Sequence, residues 1–370
     1  MRAAAALSEH PLPAHAVGEV VGEVMERLDG PVDLLCVFVG AGLTGAIEDI
    51  SNSLQELLQP AAMIGSTACG VLSQVSEVEH RPALSIWAAT GISATTFRLE
   101  AGAFEPMLGW DSLDATTALL LTDPFSVPQM ELLTRAGEVA PNLLLHGGLA
   151  SAANGPGGNR LLLDGAVHSD GGVGVALSGV PMTSVVSQGC RPVGDAFTVT
   201  GVERNIVTSL GSQSPLDRLQ SIADDADEAE RALLAAGVHI GIVMDEQQDD
   251  FVRGDFLIRA VMGADRESGA LAIGAEVPIG TTVQFQVRDA ATASEDLRLM
   301  LAEHEAVAAL TFTCNGRGAH LFGESGHDAE NVHLLTGSGA TAGMFCAGEL
   351  GPIGGTNQLH GFTASTLLFG

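Results

Sequence analysis

The sequence predicts an α/β fold made of two related modules, each with a mixed β-sheet flanked by helices. Short apolar runs typical of buried strands alternate with amphipathic stretches of helical spacing. Two distant segments, 34–42 and 309–318, each read as a buried strand that ends in Gly-x-Gly. About thirty residues after each comes a second glycine-bounded segment, at 65–71 and 343–349. This recurrence predicts a duplicated unit of strand, glycine loop, helix and strand.

The first module is predicted to begin with a helix that leads into a strand. Apolar residues recur at helical spacing over 17–25 and stop at Gly30-Pro31, and the continuous apolar run 32–39 is typical of a buried strand. An amphipathic helix over 49–58 and a strand over 61–64 then lead into the glycine motif 65–70. By the same criteria we predict strands at 84–89, 95–99, 119–122 and 142–145, a helix over 126–136, and a meandering antiparallel sheet over 160–207.

A charged, helical stretch over 214–236 separates the two modules. We therefore predict a helical extension over 1–30, an N-terminal module over 31–212 and a C-terminal module over 213–370. The C-terminal module is predicted to contain strands at 240–244, 256–262, 270–273, 282–288 and 307–313, with a helix over 293–305.

Charge and composition exclude several classes of function. The formal net charge of −29 repels nucleic acid and anionic membrane surfaces, so neither is an expected partner. All 16 basic residues are arginine, which excludes a pyridoxal Schiff base and the lysine of a phosphate-binding P-loop. The chain has no tyrosine for acid–base chemistry, and no apolar run long enough for a signal peptide or membrane span. We expect a cytoplasmic protein without a cofactor.

The five cysteines are odd in number and include no C-x-x-C pair, so neither a disulfide framework nor a structural zinc site is expected. His320, His327 and His333 are spaced by seven and six residues, which fits no helical metal pair, and we predict no metal site. The segment 40–45 matches G-x-G-x-x-G only superficially, because no acid follows a second strand at the required distance. Ser151 lacks the G-x-S-x-G context of a hydrolase nucleophile.

The strongest binding-site pattern lies near the C-terminus, where the apolar run 308–312 opens into Cys314-Asn315-Gly316-Arg317. Arg317 between two glycines is suited to a carboxylate, and the alternative is an ion pair with a nearby structural aspartate. Glu349, next to Gly348, is suited to a ligand ammonium, and the alternative is a helix cap or an ion pair.

Two further residues leave alternatives open. Cys314 is either a nucleophile or redox sensor, or a buried thiol that acts as a small apolar residue, since its nearest histidines, His320 and His360, cannot be placed from the sequence. Arg191, in the motif 189–194, is predicted to lie in a rigid turn set by Pro192, as a second anion contact or as a turn staple.

Six motifs, taken in order, resemble the FIST domain family over residues 33–369. They are 64–70, 147–151, 189–194, 288–290, 314–318 and 348–352. The resemblance implies an intracellular sensory protein that binds small ligands such as amino acids and passes its signal to a separate partner, because no effector segment is present. It also implies an acid after the glycine motif of the first module, where this chain has Val71.

We therefore predict a ligand pocket between the two modules that binds an amino acid or a small carboxylate. The alternatives are a cysteine-dependent enzyme that uses Cys314 and a non-catalytic interaction scaffold. The predicted ligand-binding residues are Ser66, Thr67, Gly147, Gly148, Arg191, Cys314, Asn315, Gly316, Arg317, Gly348 and Glu349.

Overall fold

The computed structural model describes residues 1–101, 115–248, 251 and 254–370, which form two compact units. The first unit comprises Met1–Val186, Leu297–Leu359 and Thr363–Gly370, and the second comprises Ser187–Asp296 and His360–Phe362. The predicted α/β class with mixed sheets flanked by helices is confirmed. The predicted module boundary at 212 and 213 lies inside the second unit, so the predicted modules and the compact units divide the chain differently.

The first unit contains three repeats of one plan. The elements of the first repeat are β1 (Arg2–Ser8), α1 (Pro13–Arg27), β2 (Leu34–Gly40), a 3-10 helix (Ala41–Ala46), α2 (Ile47–Leu58), β3 (Ala62–Ala68), β4 (Gly70–Ser73), β5 (Ser76–Glu79) and β6 (Leu84–Thr90). Those of the second are β7 (Ser93–Leu99), β8 (Thr117–Thr122), α3 (Gln129–Val139), β9 (Leu144–Leu149), β10 (Leu161–Leu163), β11 (Ala166–His168) and β12 (Gly172–Ser178).

The third repeat begins with β13 and resumes at α6, after the strands of the second unit. Its first strand is β13 (Met182–Gln188). The elements that follow are β14 (Cys190–Glu203), β15 (Ile206–Leu210), α4 (Pro215–Asp225), α5 (Glu228–Ala236), β16 (Val238–Val243), β17 (Phe256–Ala264), β18 (Leu271–Ile273) and β19 (Thr282–Arg288). The third repeat then continues with α6 (Ala290–Leu301). The chain then forms β20 (Ala308–Cys314), α7 (Ala319–Phe322), α8 (His327–Thr336), β21 (Ala340–Cys346), β22 (Glu349–Ile353), β23 (Thr356–His360) and β24 (Thr363–Phe369).

Each repeat is built around a pair of parallel strands joined through a helix. The parallel pairs are β2 with β3, β8 with β9, and β20 with β21, and each first strand also pairs antiparallel with the last strand of its repeat. The predicted relationship of segments 34–42 and 65–71 to segments 309–318 and 343–349 is confirmed by their equivalent strand pairing. The repeat at 117–149 has the same topology and was not predicted, because its first strand ends in Thr-Asp rather than in Gly-x-Gly.

The glycines of the three motifs occupy equivalent places inside strands. Each parallel pair of strands has one of these glycines at its fourth position in register: Gly65 in the first repeat, Gly147 in the second and Gly343 in the third. A Cβ at these glycines would lie 2.4, 2.1 and 1.7 Å from the carbonyl oxygen of the facing residue. Glycine is therefore required by close backbone approach. The strands predicted at 61–64 and 142–145 are longer than predicted, because β3 and β9 continue through their glycines.

Each repeat contributes a hairpin to the sheet of another repeat. The hairpin of β4 and β5 pairs with β21, that of β10 and β11 with β3, and that of β22 and β23 with β9. This exchange produces three six-stranded sheets whose inner faces share one apolar core. In this core the rings of Trp87 and Phe369 pack at a tilt of 34° with centroids 5.0 Å apart, and Phe38 meets Phe312 edge to face at 6.0 Å.

Helices cover the outer faces of the three sheets. The apolar stripes of α1 and α2 pack on the first sheet, that of α3 on the second, and side chains of α6 and α8 on the third. The predicted helices at 17–25, 49–58 and 126–136 are confirmed. The predicted helical extension 1–30 also contains β1, whose alanine run pairs with β6 at the edge of the first sheet.

The second unit is a closed barrel of six strands in the order β14-β15-β18-β17-β16-β19, with α4 and α5. The predicted meander over 160–207 was wrong, because β10, β12, β13 and β14 belong to four different sheets. The predicted rigid turn at 189–194 was also wrong. Arg191 and Pro192 lie within β14 and face Val287 and Gln286 of β19.

Candidate functional site

The candidate site is a buried group of polar side chains at the ends of β3, β20 and β21, all in the first unit. We call it the polar cluster. Cys314 and Cys346 are register partners, Glu349 pairs with Gly148 against the Cys346 thiol, and Cys69 Sγ lies 3.5 Å from Ser151 Oγ. Its members are Cys69, Ser151, Cys314, Arg317, Cys346 and Glu349.

Arg317 is fully buried and forms a bidentate ion pair with Asp328. Its Nε donates to Oδ2 at 2.6 Å and its Nη2 donates to Oδ1 at 2.8 Å. Burial alone would raise the pKa of Asp328, but the charge and hydrogen bonds of Arg317 outweigh burial and hold that pKa well below its usual range. The predicted alternative, an ion pair with a structural aspartate, is thus confirmed for two of the three guanidinium nitrogens.

Asp328 is held in place by its position near the start of α8. Its backbone amide donates to the Glu77 carboxylate at 3.0 Å, as do those of Ala329 at 2.9 Å and Gly326 at 2.9 Å. Glu77, from the hairpin of the first repeat, therefore caps this helix. Burial and the nearby charge of Asp328 raise the pKa of Glu77 to about 7. The hydroxyl of Thr313 also donates to Asp328.

Glu349 is the first residue of β22 and is fully buried. Its Oε2 accepts hydrogen bonds from the hydroxyl of Thr363 at 2.8 Å and from the Thr363 amide at 3.2 Å. Burial raises the pKa of Glu349 to about 8, although the bonds from Thr363, a bond from Cys314 and the charge of Arg317 act in the opposite direction. Glu349 is consequently mostly protonated at neutral pH. It lies on a strand, so the predicted helix-capping alternative was wrong.

Two polar atoms of the cluster are left without ordinary hydrogen bonds. Among the residues that the structure describes, Arg317 Nη1 and Glu349 Oε1 are buried and have no partner of normal hydrogen-bond geometry. Buried polar groups are almost always satisfied, because an unsatisfied one costs about 1–3 kcal/mol. Each group also influences the pKa of the other. The cluster thus contains one donor and one carboxyl oxygen that have no hydrogen bond of normal geometry.

The three thiols come from three strand ends. Cys314 and Cys346 are register partners at the ends of β20 and β21, and the Gly316 amide donates to Cys314 Sγ at 3.4 Å. Cys69 Sγ lies 3.5 Å from Ser151 Oγ, which donates to the Phe345 carbonyl. Burial, together with the charges of Glu349 and the other two thiols, raises the pKa of Cys346 well above its usual value. Burial also raises the pKa of Cys69.

Four other predicted residues lie on the border of the cluster. Gly148 pairs with Glu349 in the antiparallel ladder, and a Cβ there would lie 2.4 Å from Cys346 Sγ. The carbonyl of Gly348 accepts the amide of Leu149 at 2.9 Å, and the exposed Asn315 donates its amide to the Cys346 carbonyl at 2.8 Å. Gly316 contacts the Cys314 thiol as described above. Gly147 faces Leu120 and Leu350.

Ser66, Thr67 and Arg191 are engaged elsewhere. Ser66 and Thr67 are buried in β3; the amide of Thr67 donates to the Arg160 carbonyl at 2.9 Å, and the Thr67 hydroxyl accepts the Arg160 amide at 2.9 Å. Arg191 lies in the second unit, where it forms ion pairs with Glu230 at 3.0 Å and Asp289 at 3.3 Å.

The repeats explain why only one acid enters the cluster. Glu349, Val71 and Leu161 occupy equivalent hairpin positions, next to Leu350, Leu72 and Leu162, which face the three motif glycines. Two repeats therefore place an apolar side chain where the third places Glu349. Val71, the departure from the resemblance, lies in the core shared by the three sheets.

Sequence reasoning missed six residues of the site: the cluster members Cys69, Ser151 and Cys346, and their supports Asp328, Glu77 and Thr363. Asp328 had only a weak signal, a single acid eleven positions after Arg317 at the start of a helical stretch. Glu77, Thr363 and Cys346 reach the cluster through sheet pairing between distant segments. Within the described ranges, no group of three His, Cys, Asp or Glu residues could hold a metal ion, and no helix is long and apolar enough to cross a membrane.

Comparison with known proteins places both halves of the chain. The FIST N domain model matches residues 33–213 and the FIST C domain model matches residues 215–352. "Uncharacterized protein Rv0628c" of Mycobacterium tuberculosis (strain ATCC 25618 / H37Rv) is 41% identical over 381 residues, which cover 100% of both chains. "Uncharacterized protein Mb0898c" of Mycobacterium bovis (strain ATCC BAA-935 / AF2122/97) is 39% identical and covers 100% of this chain and 99% of its own. The chain belongs to the FIST family and contains its N domain followed by its C domain.

Proposed function

We propose that this protein is a small-molecule sensor whose ligand binds at the polar cluster. The observation that carries the proposal is the pair of buried, unsatisfied atoms, Arg317 Nη1 and Glu349 Oε1. A ligand that bonds to both atoms would remove two unsatisfied groups at once. The residues of the cluster come from both family domains, since Cys69 and Ser151 lie in the N domain and Arg317 and Glu349 in the C domain.

The two atoms are suited to an amino acid. Its carboxylate would accept a hydrogen bond from Nη1, and its ammonium would donate to Oε1. Arg317 already pairs with the charge of Asp328. Its remaining N–H donor would therefore orient a ligand carboxylate by hydrogen bonding and would add little net positive charge. A small carboxylate without an amine is the second ligand class, and a protonated Glu349 would donate to it. Size is restricted in either case, because Arg317 and Glu349 are fully buried and a Cβ at Gly148 would already lie 2.4 Å from Cys346 Sγ.

A signal would arise if the ligand-bound cluster favours one arrangement of the surrounding strand ends. Asn315 is exposed, directly follows Cys314 and bonds to the end of β21. It gives ligand-dependent changes a route to the surface. The shift between arrangements is limited by the difference in ligand affinity between them, and the output passes to a separate partner protein.

The test is a thermal-shift screen of amino acids and small organic acids on the full chain. A ligand present at 100 times its Kd stabilises the folded protein by about 2.7 kcal/mol. We expect at least one compound to stabilise the wild type and to lose this effect in Glu349→Gln. The matched control is Glu230→Gln, the same substitution in the second unit, where the Glu230 carboxylate pairs with Arg191 at 3.0 Å.

Each shift is measured against the ligand-free protein of the same variant, so that loss of stability is not mistaken for loss of binding. Equal shifts for an amino acid in wild type and Glu349→Gln would exclude the polar cluster as its site, because the glutamine NH2 group cannot accept a bond from the ligand ammonium. Selective alkylation of Cys314 at neutral pH, with no stabilising ligand, would favour the cysteine-dependent enzyme. An interaction scaffold would give neither result.

A further inference from the structure

We propose that Cys314 and Cys346 form a reversible thiol redox site, in which a hydroperoxide converts the two thiols into a disulfide. This inference is independent of the ligand. The pair lies in the first unit at the ends of two neighbouring parallel strands, where it is the last register pair. No disulfide links any of the five cysteines, all of which the structure describes.

The backbone geometry is compatible with the bond. Neighbouring strands lie about 4.7–4.9 Å apart, and residues in register direct their side chains to the same face of the sheet. A disulfide requires a Cα–Cα separation of about 4.4–6.8 Å. Both side chains are buried at this sheet edge, so neither thiol is turned out into solvent. Large movement of either strand is therefore unnecessary.

Cys314 is the sulfur that is set up to react first. Its Sγ accepts a hydrogen bond from the Gly316 amide at 3.4 Å, in the same loop that carries the positively charged Arg317. It keeps 6% of its surface exposed beside the exposed Asn315, whereas Cys346 is completely buried. A small oxidant can therefore approach Cys314 before it can approach Cys346.

The chemistry proceeds in two steps. The Cys314 thiolate attacks the terminal oxygen of the hydroperoxide, the O–O bond breaks, and Cys314 becomes a sulfenic acid while the remaining oxygen leaves as an alcohol or as water after taking a proton. The Cys346 sulfur then attacks the Cys314 sulfur, and the displaced hydroxide leaves as water with the Cys346 proton. Two thiols and one hydroperoxide thus yield one disulfide, one alcohol or water, and one water.

Only one of the three repeats carries this pair. The equivalent pair in the first sheet is Gly40 with Ala68. Counted from the first register pair, the equivalent positions in the second repeat are Asp123 and Ala150. The repeat plan itself therefore requires no thiol at either position. The other repeats also show which residues the fold accepts at the equivalent positions. Alanine stands at the position of Cys346 in both other repeats, and Ser151 stands at the position of Cys69.

The test is peptide mapping of the folded full chain after titration with hydrogen peroxide, with the remaining thiols alkylated under denaturing, non-reducing conditions. We expect a linked peptide that joins Cys314 to Cys346, loss of two of the five alkylatable thiols, and full recovery with dithiothreitol. Cys69→Ser should retain the link. Cys346→Ala should accumulate a sulfenic acid on Cys314 that dimedone traps.

The wild-type map alone can overturn the proposal, so the test does not depend on the folding of any variant. A map in which all five cysteines remain alkylatable would refute it, and so would a disulfide that includes Cys69 in place of Cys314. Dimedone labelling of Cys69 rather than Cys314 in Cys346→Ala would refute the assignment of the attacking sulfur.

Discussion

Replacing Glu349 by glutamine should make the stability of the protein less dependent on pH. Glutamine has the shape of a protonated glutamate, so its amide oxygen can still accept both hydrogen bonds from Thr363. Burial raises the pKa of Glu349 from 4.5 to about 8. Between these two values the folded protein holds a proton that the unfolded chain does not, and unfolding therefore becomes easier as pH rises through this window.

The size of the effect follows from the shift in pKa. One unit of pKa corresponds to about 1.4 kcal/mol. The free energy of unfolding of the wild type should therefore fall by about 1.4 kcal/mol per pH unit within this window, and by about 4–5 kcal/mol across it. Glutamine does not titrate, so the variant lacks this contribution to the pH dependence of its stability. The free energy of unfolding of Glu349→Gln should therefore rise relative to that of the wild type between pH 5 and about 8. The raised pKa of Glu77 affects both proteins and cancels in the difference.

Guanidinium unfolding monitored by tryptophan fluorescence gives the measurement. Trp87 is completely buried in the core shared by the three sheets, so it reports on the first unit. Both proteins should carry Trp110→Phe, because the chain has two tryptophans and this change leaves Trp87 as the only source of the signal. Parallel curves of unfolding free energy against pH would show that Glu349 has the same pKa in folded and unfolded protein. That result would refute our description of the polar cluster.

Three further predictions concern binding, packing and the buried ion pair. An amino acid ligand should release about 0.9 proton from Glu349 at pH 7, because its ammonium needs the ionised carboxylate, whereas a carboxylate without an amine should release almost none. Calorimetry in buffers of different ionisation enthalpy measures this release. Equal proton release for both ligands would contradict the assigned pose. Gly343→Ala should lower the free energy of unfolding by about 3 kcal/mol or more, because its Cβ would lie 1.7 Å from a carbonyl oxygen. Gly22→Ala, in an open helical position, should raise the free energy of unfolding by about 0.5–1 kcal/mol. Guanidinium unfolding of both variants checks this prediction, and similar stabilities would contradict it. Asp328→Asn should cost about 3–5 kcal/mol in the same assay because it leaves Arg317 buried without a counter-charge, and a loss below about 1 kcal/mol would show that Arg317 finds other compensation.

Much of the fold could be predicted from local patterns. The helices of the first repeat and the strands of the barrel follow from apolar spacing, since α1, α2, β16, β17 and β19 each bury one side against a core. The exchange of hairpins could not be predicted, because the pairing of β4 with β21 joins segments about 270 residues apart and no local signal specifies it. The lengths of β3 and β9 were underestimated for a related reason. Glycine permits close backbone approach inside a sheet as readily as a turn, and the sequence does not distinguish the two uses.

The candidate site shows the same division. Cys314, Arg317 and Glu349 could be selected because a charged or reactive side chain beside glycine at a strand end is rare in a packed core. Their partners could not be identified, because Asp328 is placed by α8, and Glu77 by a hairpin from another repeat. Arg191 had an equally suggestive context, yet its charge is matched by Glu230 and Asp289 within the barrel unit. Local composition indicates where chemistry is available, and sheet topology determines which groups meet.

A crystal structure of the protein purified from cells, or soaked with a compound that passes the thermal-shift screen, would test the proposed site most directly. We expect electron density for one small molecule within hydrogen-bond distance of both Arg317 Nη1 and Glu349 Oε1. A ligand bound elsewhere in the molecule, with these two atoms bonded only to protein or to ordered water, would contradict the proposal.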